Sequence, residues 1–361
     1  MITSKFTLNN YTKPIFLNTG RKAGNCSYFY KNDKKYLITR ETDYIYGYHL
    51  DNVNFEMYLE NDGTNIVHSD ESRYECDSDG LKFIKKITKA EGNDWGFEDP
   101  RVASWDGKNY LLFSRRSLND WNNFQVNWGK LDDEFNYVDN VANDGKQLVE
   151  KNWQPIEGRP GLCIYSVKPF EMIDLFSDTY IEVDNHFPIL LRGSSNIIRY
   201  RDGYLGIYHI RNEAFEYLHY VVLYDDSMHL VKMSEPFSFF GANVEFNCYI
   251  EYVDCKFVLL VSVHDQLIYE FTFGEDLMRS ILEHTLTNSK IDLSAFDTFY
   301  NDAKLSNNFF SAIVFSTFCK NREIIAEAIT MNSDKNYFRP KFQPILNQIL
   351  LRNYKECKYI L

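Results

Sequence analysis

The feature that most limits what this chain can fold into is a hairpin that recurs along it. Asp106-Gly107 joins Ser104-Trp105 to an aromatic and aliphatic run, residues 110–113, that closes in Ser114-Arg115-Arg116. An Asp-Gly pair between two such runs is a two-residue turn signal. Asn32-Asp33 leads in the same way from residues 26–29 into Tyr36-Leu37-Ile38-Thr39 and then Arg40-Glu41. Asp202-Gly203 leads into residues 204–208 and His209, and Asp254-Cys255 leads into residues 257–263 and then His264-Asp265. A fifth, weaker copy runs from residues 158–160 into residues 162–167 and Lys168. Turns recurring every roughly forty to seventy residues suit a β-propeller, in which each small antiparallel sheet is one blade. Five copies predict five blades.

Each repeated strand is apolar along its length, as a strand covered on both faces is, yet each finishes in charge or imidazole. A strand-terminal Arg is solvated in most sheets, and a lone His after an apolar run is more often a satisfied core residue. Five such ends at one place in a repeat point instead to a shared site. If these strands line the channel, Arg40-Glu41, Arg115-Arg116, Lys168, His209 and His264-Asp265 converge at one mouth.

Gly96-Phe97-Glu98-Asp99-Pro100-Arg101-Val102 adds acid chemistry. Pro100 fixes its own φ and biases Asp99 toward extended backbone, so Asp99 and Arg101 are expected to point the same way. A carboxylate would then stand beside an anion hook.

Composition sets the outer limits. The chain has 361 residues, 44% of them hydrophobic, enough for one large β domain with an appendage. The 26 Tyr and 28 Phe favour strands and offer sugar-stacking surfaces. A formal net charge of −12 with no basic stripe argues against nucleic acid, so an anionic substrate needs a local Arg/Lys cluster. No apolar run is long enough to span a membrane and the first residues carry no signal core, which predicts a cytoplasmic protein. The seven cysteines show neither disulfide nor metal spacing and are expected to be reduced core residues. Asp77-Ser78-Asp79 before Gly80 reads as a hairpin turn more readily than as the metal clamp of a nucleotide-sugar transferase. Dinucleotide, P-loop, zincin and serine-hydrolase signatures are all missing.

Past residue 275 the periodicity becomes helical, over residues 275–284, 321–330 and 342–353. The expected layout is therefore all-β over residues 1–275, a five-bladed β-propeller catalytic domain. A mostly helical extension over residues 276–361 would pack on the blades or on a second subunit, giving a possible homo-oligomer.

Residues 77–83 followed by 96–102, with Leu37-Ile38-Thr39-Arg40-Glu41 upstream, resemble the five-bladed propeller enzymes of glycoside hydrolase family 130. Residues 204–209, 217–225 and 234–237 follow that family's order, and the resemblance spans roughly residues 15 to 275. It implies a β-mannoside phosphorylase or hydrolase, or a related β-1,2-mannosyltransferase. It makes Asp99 the general acid and places Arg40, Asp225 and Asp265 around the sugar in the −1 subsite. Glu41, Glu98, Arg101, Asn152 and His264 are further substrate-binding candidates. Arg115, Arg116, Lys168 and His209 are the candidates for a phosphate pocket. No cofactor or metal is implied; inorganic phosphate or a sugar-phosphate donor is a substrate, with an oligosaccharide as its partner. Inverting displacement needs an acid on one side of the sugar and a nucleophile on the other, and a phosphate nucleophile needs fixed cations instead of a protein base. Phosphorylase, hydrolase and transferase remain open from sequence, as does a non-catalytic binding propeller.

Overall fold

The computed structural model describes residues 8, 12–15, 22–42, 69–77, 80–88, 97–116, 124–143, 145–147, 149–211, 217–241, 244–263, 265, 267–284, 295–305, 312, 316 and 321–334. Among these the strands form five antiparallel sheets in an all-β, propeller-like arrangement with few helices. The first sheet runs Lys22–Lys31, Lys34–Thr42, Ser69–Asp77, Gly80–Thr88, and the second Phe97–Trp105, Lys108–Arg116, Phe124–Leu131, Tyr137–Asn143. The third is Gln154–Pro155, Leu162–Val167, Phe170–Asp174, Thr179–Glu182. The fourth is built on Gly203–Arg211 and Tyr217–Asp225, with Arg192–Gly193 and Ile198–Tyr200 on one side and Leu230–Met233 on the other. In the fifth, Glu245–Val253, Lys256–Val263 and Leu267–Gly274 are joined by Thr12–Ile15 from the opposite end of the chain. That pairing, Thr12↔Phe271 to Ile15↔Ile268, ties the first strand to the last.

The turns follow from their residues. Asn32-Asp33, Asp106-Gly107 and Asp254-Cys255 all have positive φ at both positions, the condition for a two-residue hairpin loop. Cys255 is exposed in such a turn, so it is not a core residue, whereas Cys26, Cys163 and Cys248 are buried. The fourth-sheet turn lies one residue earlier than expected: Tyr200 pairs with Gly203, and Arg201 takes the positive φ of 52°. Gly203 sits in the ladder, where a Cβ would meet the Tyr224 carbonyl oxygen at 2.0 Å.

The apolar repeated strands do not line the axis. Each is the second strand of its sheet, paired along both edges, and its faces pack on adjoining sheets, as Leu205 and Ile207 do with Leu259 and Val261 and Ile38 does with Leu111 and Phe113, which is why its pattern is apolar on both faces. The strand before it in sequence faces the centre: Lys22–Lys31 contacts both Phe97–Trp105 and Glu245–Val253, and Ile198–Tyr200 contacts Glu245–Val253. Because each pair is antiparallel, the inner strand starts where its neighbour ends. Gly24 therefore pairs with Arg40, Phe97 with Arg115, Arg192 with His209 and Glu245 with Val263.

Helix Glu275–Leu282 follows the last strand directly, its first-turn Glu275 and Asp276 and its last-turn Arg279 complementing the helix dipole. Met278, Ile281 and Leu282 join Tyr300, Ile324, Ile325 and Ala328 in one core cluster with residues of the fourth and fifth sheets. The latter residues belong to helices Ala295–Leu305, which the sequence pattern did not reveal, and Arg322–Asp334. The expected helix at 342–353 lies outside the described residues.

Candidate active site

Asp99 departs from the extended backbone that Pro100 favours. It has φ +59° and occupies a β-bulge, the register passing from Glu98↔Ser114 to Arg101↔Leu112. The extra residue turns the two charged side chains apart. The Asp99 carboxylate faces the first sheet, where Arg40 Nη1 donates to Oδ1 at 3.1 Å and Asn25 Nδ2 donates to the same oxygen. Arg40 is 4% exposed, so this pair is largely withdrawn from water. Asn25 itself has φ +42° in a bulge of the adjacent strand, and its Oδ1 accepts from Cys248 Sγ at 3.5 Å. That second bond selects the amide orientation that presents Nδ2 to Asp99.

Arg101 is not an exposed anion hook. Its guanidinium is buried, with Nε and Nη2 donating to the Ser194 carbonyl at 3.0 and 2.8 Å and Nη1 donating to the Asp99 carbonyl at 3.2 Å. It lies 5.8 Å from the centroid of Phe246, and its field reaches Cys163 in the third sheet and Cys248 in the fifth. A group rooted in the second sheet that meets the fourth and senses the third and fifth stands on the axis. Burial lowers its pKa while the charge of Asp99 opposes that shift, and the guanidinium stays ionised. Arg101 thus forms the floor beneath Asp99.

Ser194 extends the network, its Oγ lying 2.9 Å from His209 Nδ1. His209 is 3% exposed, stacks on Tyr217 with 5.3 Å between ring centroids, and packs edge-on to Phe246. Burial holds its pKa well below the usual imidazole range, with further depression from His219, Arg192 and Arg101. His209 is therefore neutral, so of the two roles open to a phosphate-pocket candidate, cation or hydrogen-bond donor, only the second is left to it at the mouth. Burial raises the Tyr217 pKa, and the carboxylates of Asp265 and Asp99 add to the shift. Asp265 is buried with φ +53°, and its backbone crowds Gly24 so closely that a Cβ there would meet the Asp265 Cα at 2.5 Å.

Glu98 pairs with Lys151 at 2.7 Å, both half-buried. Asn152 follows with φ +65°, its carbonyl oxygen 2.2 Å from where a Cβ on Gly193 would sit, so only glycine admits this approach. Arg115 is half-buried at the same end of the second sheet through its pairing with Phe97. Lys168 is exposed beyond Leu162–Val167 and makes no contact with the Asp99 cluster among the described residues. The side chains of Glu41 and Arg116, and the whole of His264, lie outside the described residues.

Asp225 does not reach the mouth, where the family resemblance places it. It pairs with Gly203, six positions along the strand from the His209↔His219 pair and hence at the opposite end of the sheet. There its carboxylate accepts from the Ser227 and His229 backbone N–H groups at 2.8 and 2.9 Å, an Asx-type turn that lowers its pKa. The third strand of a sheet runs back, so its start, Tyr217, comes to the mouth and its end, Asp225, leaves.

The residues missed from sequence are Asn25, Lys151, Ser194 and Tyr217. Asn25-Cys26 stood in the sequence as an Asn before an apolar run; only the bulge aims its amide at Asp99.

No protein-family model matches the sequence, and no curated protein is found similar to it. Solved structures do resemble this one. The β-1,2-mannobiose phosphorylase from Listeria innocua, solved with β-1,2-mannobiose, superposes with a TM-score of 0.53 at 16% identity over 76% of this chain and 94% of that one. The fold is glycoside hydrolase family 130-like. A mannose phosphorylase from Leishmania mexicana, solved with phosphate, gives a TM-score of 0.48 at 13% identity over 81% of this chain and 93% of that one. A structure from work on family 130 hydrolases that target β-1,2-mannosidic linkages in Candida mannan gives 0.49 at 12% identity, over 75% and 90%.

Proposed function

We propose that this chain is a carbohydrate-active enzyme that acts on β-mannosidic linkages by inverting glycosyl transfer to or from phosphate. Each of the five sheets is then one blade, and Thr12–Ile15 closes the ring on the last. The observation that carries the reading is Asp99: a non-glycine residue at φ +59°, immediately before a proline, with two donors fixed on Oδ1. Such a backbone costs about 1–3 kcal/mol and is retained where the surroundings enforce it, at functional sites above all. With Oδ1 engaged by Asn25 and Arg40, Oδ2 is the oxygen left to carry a proton toward the mouth.

In the phosphorolytic direction a phosphate oxygen attacks the anomeric carbon as the glycosidic C–O bond breaks. The Asp99 proton passes to the leaving oxygen through a hydroxyl of the mannose. Binding of the sugar draws on Arg40, Asp265 and Tyr217. The phosphate draws on Arg115 and on Arg192, whose charge is felt by His209 and Tyr217. Those cations replace the carboxylate base that a hydrolase needs.

The test is incubation with β-1,2-mannobiose, with and without inorganic phosphate. Mannose 1-phosphate formed only when phosphate is present is the expected result. Hydrolysis indifferent to phosphate would remove the anion pocket, elongation of an acceptor from GDP-mannose would mark a transferase, and binding without any turnover would leave a binding propeller.

A further inference from the structure

The axis has a second mouth. Inner strands Lys22–Lys31, Phe97–Trp105 and Glu245–Val253 start beside the Asp99 site, and their far portions, with Pro155 and Ile198, line a cavity of about 400 Å³. All five sheets contribute to its wall, through Tyr30, Ser104, Glu157, Asn196 and Glu251 among others. Along the second sheet the five-residue step from Asp99 to Ser104 is roughly 16 Å at strand rise. Arg101, buried on the axis, stands between the two ends. The cavity is thus separate from the Asp99 site.

We propose that this far mouth is a second binding site, for an uncharged saccharide. Its size falls within the range of small-molecule sites. Its walls combine tyrosine rings with fixed polar groups, as a sugar with one apolar and several hydroxylated faces requires. Glu251 is 8% exposed and accepts from Tyr30 and Tyr249 hydroxyls at 2.9 and 3.1 Å, while Lys35 pairs with its other oxygen. Lys35 Nζ also lies 3.9 Å from the Tyr28 ring centroid. The one cation this aromatic and carboxylate box favours is therefore supplied by the chain itself. Glu157 is exposed at the rim, with Oε2 accepting from the Arg199 N–H at 2.7 Å and Oε1 turned to no described donor. An acceptor of that kind suits sugar hydroxyls and rejects anions, so phosphates and sugar phosphates are excluded here.

The choice of a mannoside as probe rests on the proposed function, but the site does not. Isothermal titration with β-1,2-mannobiose in the absence of phosphate should give two classes of site per chain. Glu157→Gln should weaken one class by about tenfold, the loss of a charge-assisted hydrogen bond. Val253→Trp, which fills the cavity from a position 48% exposed, should abolish that class, with an unchanged melting temperature showing that the chain is folded. A single class, or two classes of which neither variant moves either, overturns the inference. If mannoside turnover is absent while a class sensitive to both variants persists, the proposed function fails alone; turnover with no such class is the reverse.

Discussion

Arg40 Nη1 and Asp99 Oδ1 lie 3.1 Å apart although 59 positions separate them, and both side chains are almost wholly withdrawn from solvent. The contact joins the end of a second strand in one sheet to the bulged start of an inner strand in the next. It fixes where the Asp99 carboxylate points, and Asn25, whose amide is oriented by Cys248, fixes the same oxygen from the other side.

Replacing Asp99 by Asn should abolish turnover while leaving sugar binding nearly unchanged, because the amide keeps the size and the acceptor oxygen but delivers no proton. Loss of a general acid costs about two to four orders of magnitude in rate. Initial rates and a binding titration on the same preparation separate the two effects, and an Asp99→Asn enzyme with parental kcat would remove Asp99 from the chemistry.

Arg40→Leu should cost about 3 kcal/mol in stability, because it strands a mostly buried carboxylate without its cation. Urea unfolding measures this as a lower midpoint at constant slope. The double variant with Asp99→Asn should recover part of the loss, since no charge is then left unpaired. A single variant as stable as the parent would mean that the pair is solvated in solution.

Much of this was legible in the sequence. The Asp-Gly, Asn-Asp and Asp-Cys turns fixed the hairpins because few residues other than Gly, Asn and Asp tolerate positive φ, and the apolar second strands marked the middle of each sheet. Arg40, Arg115, His209 and Asp265 therefore reach one end. Strand periodicity does not announce a bulge, however, and a bulge at Asp99 reversed the expected relation between its carboxylate and Arg101. Nor does a His reveal its burial: His209, a candidate for the phosphate pocket, stacks on Tyr217, meets Phe246 edge-on and is neutral. Asp225 shows a third limit: the resemblance puts it beside the sugar, whereas in the returning strand Tyr217–Asp225 the opposite end meets the mouth.

Arg101→Lys should be far from conservative. The forked guanidinium donates to the Asp99 carbonyl of its own strand and to the Ser194 carbonyl beside the fourth sheet, and one ammonium cannot reproduce three donors in that plane. A loss of about 2 kcal/mol is expected, equivalent to one charge-assisted bond, together with reduced turnover because the Asp99 bulge and Ser194 lose their common tie. Thermal unfolding and kcat of the same variant test the two consequences; an unchanged melting temperature would show that Arg101 is not the floor of the site.

Acid should destabilise the fold through His219. Its side chain is fully buried against Phe237 and Phe239, and burial pushes its pKa down to about 3. Glu245 Oε1 lies 3.6 Å from Nε2, too far for a hydrogen bond, and that carboxylate is already occupied by the backbone N–H groups of Phe239, Phe240 and Gly241. The imidazole is therefore neutral in the folded chain, despite the nearby acid. Unfolded, it takes up a proton below about pH 6.5. Between that value and about 3 the unfolded state binds the extra proton, so this contribution to stability is complete above pH 6.5 and declines as pH falls, by about 1.4 kcal/mol per pH unit in mid-window. His209, also depressed by burial, adds to the slope in the same direction. Urea midpoints at pH 7, 6 and 5 for the parent and for His219→Leu measure the difference: the variant should show a shallower decline, and identical slopes would mean that His219 is protonated in the folded state or solvated in both.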